Sequence, residues 1–197
     1  MDETKKQVAA GVGRVSSART VGGVLNVLLI VALTRLLPRD EFAVVALIYL
    51  VQETINALGP LGLPDAMSFF VPKLGQAASR ALGVHVGRLL VGLALPYAAV
   101  LWFLGPSIAA WIDMPQVALP LVLLGFAVIA DFPGQTLAMY LIARQEYDGA
   151  FWATLLFYVS RFASFVIPAA LGAGPDIIIG AFVGVALIRG AAYLVWF

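Results

Sequence analysis

The chain has 197 residues, of which 62% are hydrophobic and 12% charged, and its formal net charge is +1. Mean hydropathy is +0.98, far above that of a soluble domain, where about half the residues are apolar and about a quarter charged. There is no cysteine and one histidine, so disulfides, thiolate catalysis and Cys-based metal centres are excluded. The near-neutral balance gives no footprint for nucleic acid.

In chain order, the first 19 residues, MDETKKQVAAGVGRVSSAR, are polar for too long to be a signal peptide. They are read as a retained cytoplasmic amphipathic lead-in, with residues 1–8 equally readable as a loose tail. Six apolar stretches follow: 17–37, 42–70, 86–104, 117–143, 150–171 and 176–197. Each is long enough to cross about 30 Å of hydrocarbon at about 1.5 Å per residue. Runs of this length without strict alternation predict helices, because lipid offers no hydrogen bonds to an open backbone. The fold class is therefore an all-α membrane protein of six transmembrane helices. Between the spans lie PRDE (38–41), PKLGQAASRALG (72–83), GPSIAAWIDMPQ (105–116), RQEYDG (144–149) and GAGP (172–175), which read as turns. His85 falls among them as a solvated loop residue. Trp102, Trp111 and Trp196 sit near span ends and read as interfacial anchors.

The second stretch carries Gly59, Pro60, Gly62 and Pro64 inside an apolar run. Proline removes a backbone donor and clashes with the preceding turn, so a kink or break is expected there. It is either a packing kink or a hinge formed by Gly59, Pro60 and Pro64. With a cytoplasmic N-terminus, the inside segments carry eight Lys or Arg and the outside segments only Arg35 and Arg39. That asymmetry predicts both termini inside. The sixth span ends at Phe197 without a polar flank, which is read as the N-terminal half of a longer protein or a truncated product.

Glu53, Asp131 and Arg161 fall near the bilayer midplane, and Asp65 and Arg189 are placed deeper toward the cytoplasmic side. A charge at the midplane costs at least about 2.5–3.5 kcal/mol, so it is kept where it meets a partner or a wet cavity. Two readings stand: one structural ion-pair network, or a lumen for a charged substrate or coupling cation. Helical spacing gives polar stripes Arg19, Gly23, Asn26 and Thr34; Glu53, Asn56 and Pro60; and Thr154, Arg161, Ser164 and Pro168. These stripes are expected to face the bundle. Gly180 and Gly184 form G-x-x-x-G, a weak signal of close helix packing.

The segments ARTVGGVLN (18–26), LTRLLPRDEF (33–42), LGPLGLPDA (58–66), FFVPK (69–73), YLIARQEY (140–147), Arg161–Phe162 and LGAG (171–174) resemble the polysaccharide-transport flippases. These belong to the multidrug/oligosaccharidyl-lipid/polysaccharide exporter superfamily. Pro38 stands where that family often has glycine. The resemblance covers nearly the whole chain. It implies one six-helix lobe of a two-lobe exporter with alternating access, in the bacterial inner membrane, the C-terminal lobe being absent. It further implies a polyprenyl-pyrophosphate-linked oligosaccharide as substrate, flipped with no bond made or broken, so not an enzyme, and needing no cofactor or metal. A second lobe or a homodimer partner is expected. Arg19, Asn26, Arg161 and Arg189 are then candidates for substrate binding, because arginine offers a bidentate fork to phosphate. Glu53 and Asp131 are candidates for a coupling ion. The alternatives are a cation-coupled multidrug extruder of the same superfamily, a membrane-bound glycan polymerase or glycosyltransferase, and a scaffold.

Overall fold

A computed structural model describes residues 2–196, with side-chain environments for residues 10–193 and for Trp196. Phe197, the end of the sixth expected span, lies outside the described residues, as do the side chains of Lys5 and Lys6. Among the described residues all regular structure is helical. Six helical segments are long and apolar enough to cross a membrane. The chain is thus an all-α membrane protein, as its composition predicts.

Helix α1 runs from Asp2 to Leu36, so the N-terminal lead-in is continuous with the first span. Helix α2, Arg39–Leu58, follows a two-residue turn, with Asp40 and Glu41 in its first turn, where acids complement the helix dipole. The helix breaks at residues 59–62. Leu61 and Gly62 both take positive φ, 50° and 71°, which permits the reversal only at a local cost for leucine. Helix α3, Leu63–Phe70, resumes with Pro64 in its first turn, where its missing N–H is harmless. A 3-10 turn, Val71–Lys73, closes the segment. The expected span over 42–70 is therefore two helices, divided where the sequence places Gly59 and Pro60.

Helix α4 spans Gln76–Trp111 and overturns two expected connections. The segments 72–83 and 105–116 read as turns because they hold Gly and Pro, yet the helix passes through Gly83, Pro96, Gly105 and Pro106. In a bilayer, stopping a helix strands several backbone groups without partners, which is worse than carrying one proline. His85 consequently lies on the helix, exposed, with Nδ1 3.0 Å from Ala81 O. The true connection is short, Ile112–Met114 and a 3-10 turn Pro115–Val117, with Asp113 at φ 57°.

Helices α5 (Ala118–Ala143), α6 (Tyr147–Ala170) and α7 (Pro175–Trp196) complete the bundle with alternating directions. Helix α5 is the axle: α4 and α7 pack along it, and α2, α3 and α6 also touch it. Trp102 is not an end anchor. Its ring is 4.9 Å from that of Phe126 and covers Gly125.

Helix α1 docks along α6 and meets α2 only slightly. Its buried seam is Gly11, Val15, Ala18, Gly22, Leu29 and Leu33. Gly11 lies under the Tyr147 ring and Gly22 under that of Tyr158, so a Cβ at either would overlap an aromatic ring. At about 100° per residue, the stripe Arg19, Gly23, Asn26 and Thr34 lies about 90° around the helix from that seam. Arg19, Gly23 and Thr34 are exposed and Asn26 half-buried. The stripe therefore flanks the α1–α6 seam and meets the expectation only in part: Arg19 reaches Met139 on α5 and Asn26 is half-buried, while Gly23 and Thr34 face outward. The G-x-x-x-G reading also changes. A Cβ at Gly180 or Gly184 would meet nothing within 4 Å, whereas one at Gly190 would sit 3.1 Å from Ala130 O. The close α5–α7 approach is at Gly190.

Candidate functional site

Four charged side chains meet at mid-height of the bundle as two ion pairs. Arg161 on α6 pairs with Glu53 on α2. Arg189 on α7 pairs with Asp131 on α5 at 2.7 Å. Each arginine also lies over an aromatic ring, Arg161 4.6 Å from Tyr49 and Arg189 4.6 Å from Phe157. Such stacking suits the weakly hydrated guanidinium. Gln52 donates to the second Asp131 oxygen at 3.0 Å. Arg189 further donates to Ser160 Oγ at 3.3 Å and Phe157 O at 3.4 Å.

The pairs differ in access. Asp131 and Arg189 are 3% and 17% exposed, while Arg161 is 4% and Glu53 41% exposed. One pair is sealed and the other opens on its acidic side. The depth expected for Arg189 needs correction: it lies level with Asp131, because α5 and α7 enter from the same end. Asp131 is about 20 Å and Arg189 about 21 Å from the starts of their helices at 1.5 Å per residue. Gln52 Oε1 and the Nε atoms of Arg161 and Arg189 are buried without partners.

A second constellation lies one to two turns from this layer, toward the end where α1 begins. Beside the α2–α3 break is a cavity of about 230 Å³ whose lining includes Arg19, Asn56, Pro60, Gly62, Pro64, Asp65, Gln135 and Met139. Gln135 Nε2 donates to Asn56 Oδ1 at 3.3 Å, tying α5 to the turn before the break. Among the described residues, the hydrogen bond of Arg19 goes to the Met139 sulfur, at 3.6 Å, a weak acceptor. Gly59 is needed here for space, since a Cβ would press on Phe132 and lie 2.7 Å from Ile55 O.

A further cavity, of about 260 Å³, opens at the same end of the bundle between the starts of α4 and the end of α5, with Ser79 and Arg144 in its wall. Its cation is engaged. Arg144 donates to Glu146 at 2.8 Å and to Ser79 and Tyr140 at 3.4 Å each. The Tyr140 hydrogen bond first and Glu146 second hold its pKa above the ordinary arginine value.

The structure thus brings Glu53 to Arg161, Asp131 to Arg189, and Arg19 to the residues of the break. Asn26, half-buried on α1, is hydrogen-bonded to neither pair. Sequence reasoning missed Gln52, Gln135 and Tyr49. Polar residues recurring beside Glu53 and Asp131 inside apolar runs were the available signal.

Bundle, paired intramembrane charges and broken second span together define a polytopic helical membrane protein with a polar site at membrane depth. A family model described as polysaccharide biosynthesis protein matches residues 32–196. The chain belongs to that polysaccharide biosynthesis family. Searches of curated proteins and of solved structures each found no match.

Proposed function

We propose that this protein flips a polyprenyl-pyrophosphate-linked oligosaccharide across the bacterial inner membrane, as one lobe of a two-lobe exporter. No bond is made or broken in this reading. The observation that carries it is the helix-break cavity, where Arg19 presents a guanidinium that no carboxylate among the described residues engages. A free arginine at membrane depth is a ready phosphate ligand. Family membership in polysaccharide biosynthesis supports a glycan-bearing substrate. The α1 flank, where Thr34 is exposed and Asn26 half-buried, supports a second lobe or a second copy there, since polar groups facing lipid are unfavourable.

In this reading the pairs hold Arg161 and Arg189 away from substrate in the state described, and each would reach phosphate only after its pair opens. Glu53, the exposed member of the open pair, is the better coupling-ion candidate than Asp131. The residues Gly59, Pro60 and Pro64 serve as the hinge. The excess of Lys and Arg at the end where α1 begins supports a cytoplasmic N-terminus; reporter fusions after Asp113 and after Gly174 should both report outside, and a cytoplasmic signal at either would reverse it.

The test is made in the native host. Deleting the gene should stop surface polysaccharide while its lipid-linked precursor accumulates on the cytoplasmic face. Wild-type protein should restore export, Arg19→Lys partly, and Arg19→Ala not at all. Loss of the precursor itself would overturn the reading and put the protein in synthesis instead of transport.

A further inference from the structure

Among the described residues, the charges lining cavities or buried at mid-height fall into two kinds. Glu53, Asp131, Arg161 and Arg189 neutralise one another in pairs. Arg144 is engaged by Glu146. Arg19 and Asp65 line one cavity of about 230 Å³, yet no ion pair joins them. The only side-chain bond at Asp65 runs from Ser68 Oγ to its backbone carbonyl, at 2.6 Å, so the carboxylate is uncommitted. In the same lining, the Gln135–Asn56 hydrogen bond uses one donor and one acceptor. It leaves Asn56 Nδ2 as a donor and Gln135 Oε1 as an acceptor. One free cation, one free anion and a mixed amide pair thus share one cavity lining.

Hydroxyl groups both give and take hydrogen bonds, so a mixed amide and carboxylate lining suits a sugar ring. The volume is below the range of about 300–1,000 Å³ that holds drug-sized ligands, which suits a single ring. We propose that this cavity takes the sugar attached to the pyrophosphate, with phosphate on Arg19, and that Asp65 makes it selective for a neutral or amino sugar over a carboxylated one. The proposal rests on the flippase reading above. With Arg19 occupied by phosphate, a sugar carboxylate would face Asp65, and like charges brought together in an interface are strongly disfavoured. An amino group at the same place would be attracted. The plainer role for Asp65 is as the acid in the first turn of α3, complementing the helix dipole. That role affects helix stability and is blind to the sugar's charge.

The experiment uses the purified protein in nanodiscs and four probes: farnesyl pyrophosphate, and the same lipid pyrophosphate carrying glucosamine, glucose or glucuronic acid. The expected order of affinity is glucosamine, then glucose, then glucuronic acid, with about a tenfold step between the last two. Asp65→Asn should compress the whole series to within about threefold, and Asp65→Glu should preserve its order. Farnesyl pyrophosphate alone should bind Asp65→Asn at least as well as wild type, since the substitution removes a negative charge from the same cavity, and should lose affinity with Arg19→Ala. If that probe binds through Arg19 but the three sugars bind alike, or if Asp65→Asn leaves the series intact, selectivity by Asp65 is refuted and the flippase reading survives. If none of the four binds, both fall together.

Discussion

The mid-bundle pairs and the helix-break cavity use the same residue types to opposite ends. At mid-height, four charges are locked two by two, with their arginines stacked on Tyr49 and Phe157. Beside the break, Arg19 and Asp65 share a wall and leave each other alone. Dielectric position separates them. Deep in the bilayer an ionised group without a partner is several kcal/mol unfavourable, so pairing is forced. One to two turns from mid-height, where the backbone is already interrupted and both side chains are exposed, they can wait for a ligand. A charged residue within a span is therefore glue or site according to whether its partner comes from the same chain.

The sharpest way to break this contrast is to remove one member of the sealed pair. Asp131→Leu strands Arg189 with only Ser160 and the Phe157 carbonyl, and should lose about 3–5 kcal/mol. Adding Arg189→Met should recover most of it, read by thermal unfolding in detergent. A neutral single variant would show that the pair does not hold α5 to α7. The open pair should respond unevenly. Glu53→Leu leaves an arginine that is 4% exposed without its carboxylate, at about 3 kcal/mol. Arg161→Met strands Glu53 at the same depth but on the open side of its pair, where a wet lumen hydrates it, and should cost less than Glu53→Leu. Equal losses from the two variants would mean that Glu53 is as dry as Asp131.

Packing provides a smaller contrast on one helix. Gly190→Ala forces α7 away from Ala130, whose backbone oxygen lies 3.1 Å from the added Cβ, and should cost about 1–3 kcal/mol. Gly184→Ala, with open space around it, should stay within about 0.5 kcal/mol. The reverse order would reinstate G-x-x-x-G as the packing seam. The least effect belongs to Arg14→Ala. Its ion pair with Asp148 joins side chains 62% and 77% exposed, and such pairs give about 0–1 kcal/mol. A loss larger than that would show α1 to be clamped at its exposed end and not along its glycine seam.

Helix number and type were legible in the sequence because long apolar runs admit few alternatives in lipid. The break was legible too, since Gly59, Pro60, Gly62 and Pro64 crowd into six residues. Helix ends were not. Gly105 and Pro106 carry turn signals that hold in water, while in lipid the unpartnered backbone outweighs them, and α4 runs on to Trp111. The Asp131–Arg189 pair was within reach, because counting both from the shared entry end of their helices sets them level. The direction of the α1 stripe was not, since the seam is chosen by what Tyr147 and Tyr158 cover on α6. The cavity was legible only in part. Arg19 and the hinge residues announce themselves, whereas Gln135 joins them only once α5 is docked.

The adjacency of Gln52 and Glu53 on α2 has a consequence for synthesis. Spans enter the bilayer in order, and Asp131 precedes Arg189 by 58 residues. At about 5–20 residues per second of elongation, the acid waits about 3–12 s for its arginine. During that interval Gln52, already inserted, is the partner the finished fold shows reaching it, at 3.0 Å. Until Arg189 follows, the Gln52 amide is a hydrogen-bond donor within the chain's own inserted spans that can offset part of the cost of the carboxylate. Gln52→Leu should therefore lower the yield of inserted protein more than it lowers the stability of the molecules that complete the bundle.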